Sequence, residues 1–112
     1  MQTEMATVIR YKEEVDAFFN SLIDILLEEN YFSFIESAFD YVFNMKNYIE
    51  KYIAVLPNYI APDYFDKYQK GMRYMTYQAN KRTTWYIFFK QKGNRFIIYY
   101  ITNNHFEGQY IR

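Results

Sequence analysis

The chain has 112 residues, a formal net charge of zero and no cysteine, with 14 tyrosines and 11 phenylalanines. That length fits one domain. The aromatic content excludes a disordered chain, and the missing cysteines exclude a disulfide framework. The zero net charge hides a split: residues 1–60 carry ten acidic and four basic side chains, residues 61–112 three acidic and nine basic. An acidic first half and a basic, aromatic second half point to a surface for an anionic or acidic partner.

No secretory signal is visible in MQTEMATVIR and no window of 18 apolar residues occurs, so the sequence predicts a cytoplasmic protein with no membrane partner. With one histidine and no cysteine, neither a metal site nor a cofactor is expected.

Residues 6–11, ATVIRY, read as a short strand or as the lead-in to a helix. From Lys12 to Glu29, apolar residues recur at three and four: Val15, Phe18, Phe19, Leu22, Ile23, Leu26 and Leu27. Glu13, Glu14 and Asp16 sit where a helix dipole favours anions. A second helix is predicted over 33–56. It opens on a Ser33–Glu36 capping box and carries the stripe Ile35, Ala38, Phe39, Val42, Met45, Ile49, Tyr52, Ile53 and Leu56. Pro57 ends it. Two long helices with a short link predict an antiparallel helical hairpin.

Residues 57–71 are punctuated by Pro57, Pro62 and Gly71, with one or two helical turns expected over 63–70. A β-meander follows over 72–102. Its strands are 72–78, 83–90 and 95–102, its turns fall at 79–82 and 92–94, and a short last piece is expected at Tyr110–Ile111. In the middle strand Trp85, Ile87 and Phe89 share one face, Tyr86 and Phe88 the other. One set packs on the helices. The other is a partner surface or a base-stacking surface. The third strand is apolar at every position from Phe96 to Ile101, which implies cover on both faces, or on one face with a partner on the other. The fold class is therefore α+β: one domain over 1–112, a helical hairpin on a small, mainly antiparallel sheet.

The element order, together with the stretch NKRTTWYIFFKQKGNRFIIYYITNNH, resembles the RelE/ParE family of toxins. The resemblance implies a RelE/ParE toxin-like fold and a toxin-antitoxin system in which a small cognate antitoxin wraps the toxin. Ribosome-dependent members of that family are endoribonucleases that cleave mRNA in the decoding site. The ParE branch poisons DNA gyrase. Carried over residue by residue, the resemblance implies catalytic roles for Arg82 at the opening of the middle strand, with Lys81 beside it to bind substrate. It implies the same for Arg73 on the preceding strand, for His105 after the last long strand, and for Tyr110. His105 and Tyr110 are not adjacent, as they are in some members, and Glu107 is the only acidic residue after Asp66.

RNA cleavage by its own 2′-hydroxyl requires a base, donors for the phosphate and an acid, and no metal. Histidine is the side chain whose ordinary pKa lies near neutrality, which suits His105 to proton transfer. Arg82 and Arg73 suit a bidentate phosphate clamp, with Arg95 as a further substrate-binding residue. Tyr110 suits proton donation or base stacking. Asn104 either binds substrate or hydrogen-bonds a turn. Three readings stay open: a cleaving toxin, a gyrase-directed or non-cleaving relative, and a structural or regulatory binding protein that forms a homodimer through its aromatic sheet face.

Overall fold

The computed structural model describes residues 6–28 and 35–111. Val8–Tyr11 form β1, followed by helices α1 (Glu13–Glu28) and α2 (Ile35–Tyr52). A two-residue strand β2 (Tyr59–Ile60) leads to a 3₁₀ turn over Asp63–Lys67. The strands β3 (Arg73–Asn80), β4 (Thr83–Lys92) and β5 (Arg95–Asn103) follow, then a four-residue helix α3 (Asn104–Glu107) and a last 3₁₀ turn (Gly108–Tyr110). The expected α+β architecture is present. The capping box at Ser33 and the link between the helices lie outside the described residues.

The sheet has five strands in the order β1-β5-β4-β3-β2. β1 runs parallel to β5, and all other neighbours are antiparallel. Both meander turns reduce to two residues. Gly93 takes a φ of 60° in the β4–β5 turn, a conformation with little cost for glycine alone. Asn80 pairs with Thr83, so Lys81 and Arg82 form the tip of the β3–β4 hairpin. Asn80 sets that turn by accepting the Arg82 N–H on its Oδ1 at 2.9 Å.

The helices bury the stripes that their periodicity predicts. α1 contributes Val15, Phe19, Leu22 and Leu26; α2 contributes Ala38, Val42, Met45 and Ile49. Tyr11 donates to Glu50 at 3.0 Å, while Leu22 and Leu26 lie by Tyr41, so α1 and α2 run antiparallel. Phe39, expected in the stripe, is 52% exposed. α2 also stops at Tyr52 instead of residue 56: Val55 and Leu56 both turn back to the Tyr52 carbonyl ahead of Pro57, which disfavours helix in the residue before it.

The sheet packs on both faces. Met75, Trp85, Ile87, Phe89, Phe96, Ile98 and Ile101 meet the helices. Ile98 and Ile101 share that face despite odd spacing, because a bulge opposite Phe88 and Phe89 adds one residue to β5. On the other face, Phe88 and Met72 cluster with Phe65 from the 3₁₀ turn. Phe65 stacks on Phe88 at 4.3 Å, Tyr68 on Tyr100 at 3.7 Å and Tyr64 on Tyr110 at 3.6 Å. The base-stacking surface expected at Phe88 is therefore closed by the chain itself, and Phe88 is fully buried. The last strand piece expected at Tyr110–Ile111 is likewise replaced by the 3₁₀ turn, which brings Tyr110 onto Tyr64.

Candidate functional site

In an antiparallel meander, the end of β3, the start of β4 and the end of β5 meet at one edge. Lys81, Arg82, Asn104 and His105 gather there. Asn103 ends β5 and turns it into α3: its Oδ1 accepts the N–H groups of His105 and Phe106 at 2.9 and 3.0 Å. That cap aims His105 back at the hairpin, where its Nε2 hydrogen-bonds Thr83 Oγ1 at 3.0 Å. Asn104 bridges the same gap with both ends of its amide. Oδ1 accepts the Thr84 N–H and Nδ2 donates to the Arg82 carbonyl, each at 2.9 Å. The Asn104 side chain thus fixes the backbone of the basic tip, while the side chains of Lys81 and Arg82 stay exposed.

Beside His105 a cleft of about 280 Å³ opens between the helices and this end of the sheet. Leu22, Ile25 and Leu26 of α1 form one wall, Trp85 and Phe106 the other. Tyr41, Asn80, Thr83, Asn103 and His105 supply its polar lining. Trp85 is held in place by donating its Nε1–H to the Tyr41 hydroxyl at 2.9 Å and by edge contact with Phe18.

The other expected site residues lie elsewhere. Arg73 opens β3 and bonds Asn58 through Nε to the side-chain oxygen and through Nη2 to the carbonyl. At about 3.3 Å per residue it stands about 23 Å from Asn80. Arg95 opens β5 opposite Lys92, at the same far end as Arg73. Tyr110 lies flat on Tyr64, whose ring also carries the Lys67 ammonium at 3.8 Å. Nearby, Tyr100 donates to Glu107, and its hydroxyl is held well above the usual tyrosine range by burial first and by that bond second. Glu107 is thereby engaged in fastening α3 to the sheet.

Comparison of the chain with protein-family models, with curated proteins and with solved structures gave no match. The geometry therefore carries the functional argument. Among the described residues, no group of three or more histidine, aspartate or glutamate side chains is placed to hold a metal ion, and no helix is long and apolar enough to cross a membrane. Thr83 as partner of His105 went unnoticed in the sequence, as did Asn80 as the turn-setter, whereas Asn103, readable with Asn104 as a strand-breaking residue that hydrogen-bonds a turn, serves as the cap. Asn two residues ahead of a hairpin-tip N–H, and Asn two and three residues ahead of helical N–H groups, are the signals that identify the last two.

Proposed function

We propose that the chain is a toxin of the RelE/ParE kind acting on RNA, with its working end at the β3–β4 tip and α3. The observation that carries this reading is the hydrogen bond between His105 and Thr83, the residue after Arg82, which stations an imidazole at the basic hairpin end over an open cleft. In this reading His105 takes the 2′-hydroxyl proton as that oxygen bonds the phosphorus, and the P–O5′ bond breaks to leave a 2′,3′-cyclic phosphate. The imidazolium returns the proton to the departing 5′-oxygen, and Arg82 and Lys81 hold the scissile phosphate. Arg73 and Arg95 stand too far away to share that phosphate, and Tyr110 is engaged with Tyr64. The element order from β1 through the helical hairpin to the meander supports the family resemblance, and the split of charge supports an anionic target. A cognate antitoxin, acidic enough to cover the basic tip, belongs to the same proposal.

A gyrase-directed, non-cleaving mode is the second reading. It is favoured by Glu107, whose carboxylate is bonded to Tyr100 and so is not offered as a partner for His105. Induced expression in a bacterial host separates the two when growth and mRNA 5′ ends are followed together. Arrest with new 5′ ends that vanish in His105→Ala supports the ribonuclease. Arrest with intact transcripts replaces it with the second reading, and no arrest from folded protein removes both.

A further inference from the structure

We propose that the cleft beside His105 is a nucleobase pocket selecting bases with a carbonyl at the pyrimidine 4 or purine 6 position, uracil or guanine, presented by single-stranded RNA. The inference deepens the ribonuclease reading and rests on it for the RNA, but the pocket chemistry stands on its own observations.

The first observation is the direction of two amides. Asn103 is only 5% exposed and lines the cleft. Its Oδ1 is committed to the N–H groups of His105 and Phe106. An amide cannot be turned over without losing both bonds, so the group left for a ligand is Nδ2, a donor. Asn80, which also lines the cleft, repeats the arrangement: its Oδ1 takes the Arg82 N–H, again leaving an NH2 group. Neither NH2 group has a protein partner among the described residues. Both NH2 groups are open to water at the cleft, Asn80 being exposed, so a ligand carbonyl can take the place of that water. Two donors match O4 of uracil and O6 of guanine; they mismatch the amino groups that cytosine and adenine carry at the same ring positions.

The second observation is shape. The cleft is at the small end of ligand sites, and its walls are the apolar side chains of Leu22, Ile25, Leu26 and Phe106 with the indole of Trp85. A flat, neutral ring fits that lining; a phosphate does not. The third observation is polarity. The basic pair Lys81–Arg82 sits in the chain between Asn80 and Thr83, which both line the cleft, whereas Asp24 and Glu28 stand on α1 and Asp40 on α2, the helices that supply its other lining. A nucleotide is therefore oriented with its phosphate toward the tip and its base toward the helices.

Trp85 is the only tryptophan in the chain, so its emission reports on the cleft directly. Short oligoribonucleotides with U, G, A or C at one central position, and 2′-deoxyribose there to block cleavage, are titrated into the full chain while anisotropy and Trp85 fluorescence are read. U and G are expected to bind about tenfold tighter than A and C and to shift Trp85 emission. Asn103→Asp keeps an oxygen for the two helical N–H groups but replaces the donor by an acceptor. It is expected to abolish or reverse the preference, and Asn80→Asp to weaken it, with circular dichroism verifying the fold of both. Equal binding of all four bases, or a preference untouched in both variants, overturns the pocket. Free UMP or GMP binding as tightly as the oligonucleotide overturns the RNA-borne form. RNA cleavage without base preference removes the pocket and leaves the ribonuclease standing. Base preference without cleavage leaves the pocket standing and removes the ribonuclease.

Discussion

His105 Nε2 lies 3.0 Å from Thr83 Oγ1, linking the chain just past the last strand to the first residue of the central one. The link holds the imidazole at the basic hairpin tip instead of letting it swing into solvent. Thr83→Val removes the hydroxyl and keeps the shape. It is expected to lower the RNA cleavage rate about tenfold with little change in melting temperature, whereas His105→Ala abolishes cleavage. Single-turnover cleavage rates beside thermal melts check both. Full activity in Thr83→Val would show that the hydrogen bond does not position the ring.

The two ends of the sheet make a contrast among the arginines. Lys81→Ala and Arg82→Ala are expected to weaken RNA binding and to flatten its dependence on salt, because in the proposed reading each removes about one phosphate contact. Arg73→Ala and Arg95→Ala, at the far end, are expected to leave both unchanged. Binding isotherms at several salt concentrations decide it. A loss in Arg73→Ala equal to that in Arg82→Ala would move the phosphate away from the tip.

Asn104 has a structural task measurable without any substrate. Its amide closes two backbone hydrogen bonds across the sheet end. Asn104→Ala is expected to cost about 1–2 kcal/mol in urea unfolding. Asn104→Asp keeps the acceptor for Thr84, loses the donor to Arg82, and falls between the two.

Phe65 closes the second face of the sheet by stacking on Phe88, both fully buried. Phe65→Ala is expected to cost about 3–5 kcal/mol. It also frees the 3₁₀ turn, exposing apolar surface that binds a hydrophobic dye. Undiminished stability in Phe65→Ala would mean that the aromatic face needs no such cover.

Among the phenols that burial raises, which include Tyr48, Tyr74 and Tyr77, two stand furthest from their ordinary value. Tyr11 and Tyr100 are both held above their ordinary pKa, chiefly by burial and then by bonds to Glu50 and Glu107. The unfolded chain releases these protons near pH ~10, the folded chain later. Above that pH the unfolded state binds fewer protons, so stability falls as pH rises toward the folded values. Tyr11→Phe and Tyr100→Phe are each expected to flatten this decline while leaving the pH 7–9 plateau level. Denaturant midpoints from pH 7 to 12 provide the check.

The local patterns in the sequence determined the elements. The three-and-four spacing from Val15 to Leu26 and from Ala38 to Ile49 specified two helices, and the alternation in Trp85–Phe89 specified which side chains share a face, because helix and strand periods follow from backbone geometry alone. The grouping of Arg82 with His105, apart from Arg73 and Arg95, was also legible in principle, since an antiparallel meander sends alternate turns to opposite ends. Long-range packing decided the rest. The bulge that puts Ile98 and Ile101 on one face, the parallel seat of β1 on β5, and the closing of Phe88 by Phe65 each depend on residues far apart in the chain. No local period encodes such contacts. The cleft is of the same kind: Leu22, Asn80 and Asn103 have no relation in sequence, and only the meeting of α1 with this end of the sheet makes them neighbours.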